Sequence, residues 1–242
     1  MKPYTTKTER EKRAYDIASR ILREEVPKRC TCNYHNPDHT LDPLYGVIAM
    51  VNFYAQEEGV SEIERELGSV ASVFHDTGFL EQDKNNEPIG ARIAGEVLPE
   101  IGYTPQEISI IQNGILATAI PSNPKSLLEM IICDADVDNL GRDDFFEKNE
   151  LVRKELKIDD LKAWYDNSIK FLESHEYYTI SARRLRDGKK QENIELLKKL
   201  KLQLETNRDA WREHGAYLQS LLTSTRIEDN VRYTEAQGEG LF

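Results

Sequence analysis

The residues of this chain best suited to chemistry are a few histidines and aspartates. Only five histidines occur in 242 residues, and two of them lie four positions apart in the stretch NYHNPDHTLD, residues 33–42. His75 is followed directly by Asp76, and the stretch CDADVDNLG, residues 133–141, adds three aspartates. Imidazole nitrogens and carboxylate oxygens together suit borderline or hard divalent cations. The pattern predicts a metal site, provided that the fold brings these segments together.

Helices are the elements that must position them. Apolar residues recur at intervals of three and four over long stretches, which is typical of helices with one buried face. We find no Asn-Gly or Asp-Gly turn between alternating apolar runs, so strand signals are nearly absent. The sequence therefore predicts an all-α fold, with helices over residues 6–26, from Leu44, from Ser61, from Thr104 and from Asn123.

Three motifs resemble those of a known family. YHNPDH, the His-Asp pair and DADVDNLG, between about residues 34 and 141, are similar to the signature of the HD-domain superfamily of metal-dependent phosphohydrolases. The first motif is closest to the form seen in cyclic-nucleotide phosphodiesterases. The resemblance implies an HD-type helical bundle in which side chains from separate helices meet in the interior.

The resemblance also implies roles for individual residues. His39, His75, Asp76 and Asp136 would ligate a divalent metal, and Asp76 could bridge to a second ion. His35 falls where the phosphodiesterase-type motif has the histidine that protonates the leaving oxygen. Asp76 and His35 are thus the predicted catalytic residues.

Further residues are candidates for supporting positions. Asp42, three residues after His39 and just before Pro43, could orient that ligand from the same helix. Asp134 is the alternative to Asp136 as the last ligand, because it lies only two residues earlier.

Two other candidates have plainer alternatives. Arg142 could meet a substrate phosphate with its planar guanidinium, but could instead form a salt bridge with Asp143 or Asp144. Glu87, in NNEPIGARIA, resembles part of an Asn-Glu element of some HD relatives, or is simply an acidic residue in the first turn of a helix.

One departure from the family concerns the number of ions. Phosphodiesterases of this motif type have a further histidine shortly after the His-Asp pair, whereas HDTGFLEQDKNNE has none. One ion is therefore expected, and a second would depend on Glu81, Asp83 or Glu87, or on water. Mixed nitrogen and oxygen ligands accommodate Mn, Mg, Fe, Co, Ni or Zn.

Composition restricts the partners. A formal net charge of -11 repels nucleic-acid backbones and anionic membranes, so broad binding to either is not expected. No apolar run approaches the roughly 20 residues that span a bilayer, and the beginning MKPYTTKTEREKRAYD is too polar for a signal peptide. We expect a cytoplasmic protein whose partner is a small phosphorylated molecule such as a nucleotide.

The three cysteines are expected to be free thiols. The spacing of Cys30 and Cys32 makes a direct disulfide uncommon, and Cys133 is expected to be buried. An alternative zinc site would combine Cys30 and Cys32 with His35 and His39, although the usual two-residue gap within the cysteine pair is missing.

The C-terminal part is a charged helical segment. Between residues 191 and 222, heptad-like steps predict a helix that packs antiparallel on a neighbour or, alternatively, forms a homodimer. The seam residues are Leu197, Leu200, Leu204, Asn207, Trp211, His214, Leu218 and Leu221. We expect residues 1–175 to form the HD-type domain and residues 176–242 a helical extension on the same body, with no periodicity after residue 228.

The combined hypothesis is a metal-dependent phosphohydrolase acting on a phosphomonoester or phosphodiester. A cation neutralises phosphate charge and lowers the pKa of water, while an imidazole can donate a proton to the leaving oxygen. The alternative is a regulatory module that binds metal and nucleotide without turnover. A dinuclear-iron oxygenase would need about two further His or carboxylate ligands.

Overall fold

The fold is all-α, as predicted. A computed structural model describes residues 8–206, and within that range the regular elements are helices, with no strand. The α-helices are α1 (Glu9–Arg20), α2 (Val26–Arg29), α3 (Pro37–Leu41), α4 (Val47–Glu57), α5 (Glu62–Phe74), α6 (Glu87–Val97), α7 (Pro105–Ala117), α8 (Leu127–Asp136), α9 (Phe145–Glu155), α10 (Leu161–Ser174) and α11 (Ile180–Thr206). A π-helical segment, Ile21–Glu25, joins α1 to α2, and 3₁₀ turns occupy His75–Leu80, Leu98–Ile101 and Asp138–Gly141.

Local capping chemistry determines where several helices begin. The Ser61 and Thr104 hydroxyls accept hydrogen bonds from backbone amides three residues later, and glutamates return the contact, so both predicted starts are confirmed. The predicted start of α8 at Asn123 is wrong by a few residues. The Ser126 hydroxyl accepts from the Glu129 amide, and this cap begins the helix at Leu127.

Residues 8–138 and Glu176–Asp187 form one compact unit. Helix α5 is its centre, because it packs against α1, α4, α7 and α8. Residues 66–74 of α5 are all buried. Helix α6 packs on α7 and on the 3₁₀ turn His75–Leu80 that continues α5. The His-Asp pair therefore lies at the end of the core helix.

Asn139–His175 and residues 188–206 form a second unit. Three ion pairs join α10 and α11 in antiparallel order: Glu173–Lys198, Asp166–Lys201 and Lys162–Glu205. Leu197, Leu200 and Leu204 are buried, which confirms packing within the chain for this part of the predicted seam. Asn207, Trp211, His214, Leu218, Leu221 and the stretch after residue 228 lie outside the described residues, and the domain boundary at residue 175 and the homodimer stay predictions.

Among the helices that the structure describes, none combines the length and the apolar character needed to cross a bilayer. The longest, α11, is rich in charged residues along its whole length.

The cysteines differ from expectation. Cys30 and Cys32 are joined by a disulfide, so the prediction of free thiols is wrong for this pair. The chain leaves α2 in a bent path that brings their Cα atoms to 5.3 Å, within the usual disulfide range. The alternative zinc site is left without its two thiolate ligands. Cys133 is a buried free thiol, as predicted.

Candidate metal centre

His39 reaches the site from the short helix α3. The Asn36 side chain accepts hydrogen bonds from the Asp38 and His39 amides, and Pro37 occupies the first helical position, so α3 begins where its sequence favours it. The His39 ring is nearly buried, and its Nε2 lies 3.0 Å from Asp136 Oδ1 and 3.7 Å from Asp76 Oδ2.

His75 and Asp76 occupy the junction between α5 and the 3₁₀ turn. The Nδ1 of His75 donates to the Ser72 carbonyl oxygen at 2.7 Å, because a carbonyl can only accept. That bond sets the ring orientation and leaves Nε2 to face the site, as in histidines that ligate metals. Nε2 lies 3.2 Å from Asp76 Oδ2 and 3.3 Å from Asp136 Oδ1.

Asp136 and Asp134 point in different directions. Residues two apart on a helix face nearly opposite sides, so only one of them can reach the histidines. Asp136 does so, whereas Asp134 is fully buried and accepts from the Tyr178 and Thr179 amides at 2.8 Å each. Asp134 therefore anchors the start of α11.

The polar atoms of the site are incompletely satisfied. His75 Nε2 and Asp76 Oδ2 are both buried without a hydrogen-bond partner of acceptable geometry. Buried polar atoms are normally paired, since an unsatisfied one costs about 1–3 kcal/mol. His75 Nε2 lies 3.3 Å from Asp136 Oδ1, and Asp76 Oδ2 lies 3.7 Å from His39 Nε2, so the unpaired atoms adjoin the other two candidate ligands and the residues present fit a bound cation.

The pKa values of the four side chains show how charge is distributed in the cluster. Burial lowers the pKa of His39, and the nearby carboxylates offset this only in part. Burial also acts to lower the pKa of His75, but Asp76 and Asp136 outweigh it and hold the value well above the ordinary one. Burial acts to raise the pKa of each carboxyl, yet the histidines hold both below their ordinary values. The two carboxylates favour positive charge in this buried space, which a proton on His75 or a metal ion in its place can supply.

One group in the described chain has the composition and spacing of a metal site. The ligand atoms of His39, His75 and Asp136 all lie within 4.8 Å of one another, so these three residues could hold a metal ion. Asp76 adjoins the group through its contacts with both imidazoles.

His35 lies beside this cluster. Its ring stacks on the buried Phe79 ring at 4.6 Å between centroids and 28° between planes. The His39 ring is 5.7 Å away, and Tyr34 meets His35 edge-on at 4.9 Å. Sequence reasoning missed Phe79. The available signal was its position shortly after the His-Asp pair, in the stretch where the resemblance leads one to expect a further histidine.

Asp42 differs from its predicted role. Helix α3 ends at Leu41, because Pro43 disfavours helical geometry in the preceding residue, and Asp42 has an extended ψ of 129°. Its carboxylate accepts from the Leu44 and Tyr45 amides at 2.9 and 2.8 Å. Asp42 therefore caps the turn before α4 instead of orienting His39.

The carboxylates named for a second ion are engaged elsewhere or lie apart from the three-residue group. Glu81 pairs with Arg92, and Asp83 pairs with Arg29 at 2.7 Å. Glu87 lies in the first turn of α6, half-buried, which agrees with the plainer alternative.

Arg142 belongs to the second unit. Its Nε donates to Asp144 Oδ1 at 2.7 Å, and a second bond joins the same two side chains. The salt-bridge alternative is thus confirmed for Asp144.

Comparisons of this chain with protein-family models, with curated proteins and with solved structures found no match.

Proposed function

We propose that this protein is a metal-dependent phosphohydrolase of the HD type, which cleaves a phosphomonoester or phosphodiester of a small molecule such as a nucleotide. The observation that carries the proposal is the convergence of His39, His75, Asp76 and Asp136 from three distant segments on one buried point. The orphaned atoms of His75 and Asp76 at that point support a bound cation.

His39, His75 and Asp136 would hold the cation, with Asp76 adjoining it. A divalent cation supplies Lewis acidity, which neutralises phosphate charge and lowers the pKa of water toward neutrality. The Ser72 carbonyl keeps the His75 ring in place before any ion binds, whereas the 3.0 Å contact between His39 Nε2 and Asp136 Oδ1 would open to admit the ion. The His75 ligand is therefore oriented before substrate arrives.

His35 would act as the proton donor to the leaving oxygen. Its ring lies beside that of His39 and is held by the stack on Phe79, so the imidazole is positioned near the reacting group. A correctly positioned acid accelerates such steps by about 10²–10⁴-fold.

A phosphate substrate is consistent with the electrostatics. The chain has a formal net charge of -11, which by itself repels anions. A bound divalent cation reverses the sign of the local field, so an anionic substrate would be drawn to this point.

The test begins with elemental analysis of the purified full-length protein. Turnover of nucleoside monophosphates, cyclic nucleotides and p-nitrophenyl mono- and diesters is then measured with Mn, Mg, Fe, Co, Ni or Zn added. We expect stoichiometric metal and turnover of at least one ester. His35→Phe keeps an aromatic ring against Phe79 but cannot donate a proton, so it should retain metal and lose at least about tenfold in turnover.

Asp16→Asn is the matched control, because Asp16 is exposed on α1. It should change neither property. Metal without turnover of any ester would favour the regulatory alternative, and protein that binds no divalent metal would refute both.

A further inference from the structure

The segment between α2 and α3 is attached to Phe79 at both of its ends. Arg29, the last residue of α2, donates from Nη1 to the Phe79 carbonyl oxygen at 2.9 Å. At the other end, the His35 ring stacks on the Phe79 side chain at 4.6 Å. The conformation of the chain between these two attachments therefore helps to set where His35 lies.

The Cys30–Cys32 disulfide lies between the two attachments and shortens the path. It holds the two Cα atoms at 5.3 Å, whereas two extended residues span up to about 7 Å. Opening the bond would release on the order of 1–2 Å of chain. Stacked rings lose contact over such a distance, so the open chain would permit positions of His35 that the disulfide excludes.

Stability does not explain this disulfide well. The stabilisation that a disulfide confers by closing a loop grows with the length of the loop. This bond joins cysteines only two positions apart, so the loop that it closes is very short. Both cysteines are only half-buried and Thr31 between them is exposed, so a small thiol can approach the bond. A disulfide that adds little stability and is accessible to thiols is suited to reversible reduction and oxidation.

We propose that Cys30 and Cys32 form a reversible redox modification site, whose reactants are low-molecular-weight thiols, and whose oxidised form holds His35 against Phe79. A thiolate of the reductant attacks one sulfur, which breaks the Cys30–Cys32 bond and gives a mixed disulfide and one cysteine thiol. A second reductant thiol displaces the other cysteine. Two electrons and two protons pass to the protein, and the reductant becomes a disulfide.

The effect on turnover rests on the proposed function, but the modification itself does not. The experiment therefore uses two readouts on the full-length protein equilibrated with either reduced or oxidised dithiothreitol. Alkylation after denaturation, read by mass spectrometry, should label Cys133 alone in the oxidised protein and all three cysteines in the reduced protein. Hydrogen exchange of residues 31–36 should be faster in the reduced form.

Turnover should be at least about tenfold lower in the reduced form, which equals the loss expected for His35→Phe. In a His35→Phe background, reduction should change turnover by less than about twofold, because the affected step is already missing. Cys30→Ser should behave as the reduced protein under both conditions. Cys133→Ala should retain the response.

Complete alkylation of Cys30 and Cys32 under oxidant would overturn the inference, as would equal exchange of residues 31–36 in the two forms. Exchange that depends on the redox state, with no ester turned over in either form, would support the inference and refute the proposed function. The two failures are thereby distinguishable.

Discussion

Two buried clusters in the first unit use aspartates only two residues apart, and they differ in how fully their polar atoms are paired. Asp138 accepts a hydrogen bond from the buried Tyr54 hydroxyl, and its two carboxylate oxygens accept from Arg186 Nε and Nη2 at 2.7 and 2.9 Å. In the Asp136 cluster, His75 Nε2 and Asp76 Oδ2 have no such partner.

Residue type and burial do not distinguish these clusters, since both contain buried carboxylates near cationic side chains. Pairing does. A completely paired network ties α11 to the end of α8 and needs nothing further, whereas orphaned atoms carry a free-energy cost that a ligand can remove. Asp138 is therefore interpreted as a structural residue, whereas Asp136 belongs to the group that could hold a metal ion.

The largest expected effect is on the paired cluster. Asp138→Asn removes the charge that compensates Arg186, and breaking one side of a buried ion pair costs about 3–5 kcal/mol. We expect urea denaturation of the metal-free protein, with a chelator present, to show that loss. The divalent-metal content of the purified variant, measured without chelator, should equal that of the unmodified protein. A variant of native stability would mean that the Asp138 network contributes little.

Asp136→Asn is the same substitution in the other cluster. Loss of a residue that merely supports a ligand weakens metal binding by about 10–100-fold, so loss of Asp136, a proposed direct ligand, should exceed about 100-fold. Titration with Mn²⁺ or Zn²⁺ measures the change. Its metal-free stability should fall by less than that of Asp138→Asn, and equal losses for the two variants would remove the distinction between the clusters.

A half-buried histidine in the second unit, His175, extends the comparison to pH. Burial, together with the nearby Lys190 ammonium, lowers the pKa of His175 to about 4. The imidazole is then neutral at the C-terminal end of α10, where Lys190 Nζ approaches its Nδ1 at 3.4 Å. The unfolded chain takes up a proton near pH 6.5, so this stability is complete above that pH and is lost as the pH falls toward 4.

We expect a decrease of about 2 kcal/mol in the free energy of unfolding between these pH values. His175→Asn has no titrating ring and should lack that component of the pH dependence. Identical pH profiles for the two proteins, measured by urea denaturation, would contradict the assignment.

The smallest effect concerns the close approach of α6 to the site. A Cβ atom on Gly90 would lie 2.8 Å from the Phe74 carbonyl oxygen and 3.0 Å from that of His75. Gly90→Ala should therefore lower the free energy of unfolding by about 1 kcal/mol, because the cost of the close contacts exceeds the gain in helix propensity. It should also weaken metal binding severalfold. Gly188, also within a helix, has nothing within 4 Å of its added Cβ. Gly188→Ala should be stabilising by about 0.5–1 kcal/mol, and a similar gain for Gly90→Ala would show that the contact is soft.

The sequence predicted structural features correctly where they depend on interactions between residues close together in the chain. The starts at Ser61 and Thr104 follow from hydrogen bonds that span three residues, which a local pattern of residue types can specify. Reasoning of the same kind misplaced Asp42, because the effect of Pro43 on the preceding residue decided where α3 ends. It also missed the disulfide, since the bend after α2 is not encoded in cysteine spacing.

The amino-acid sequence by itself determined the all-α class, the helix starts at Ser61 and Thr104 and the set of histidines and aspartates that could bind metal, because these depend on periodicity, capping and side-chain chemistry. Only the tertiary structure decided between Asp136 and Asp134, brought Phe79 under His35 and paired Asp138 with Arg186. Those outcomes join residues some 40 to 100 positions apart, and such contacts are set by how helices pack, which no local pattern specifies.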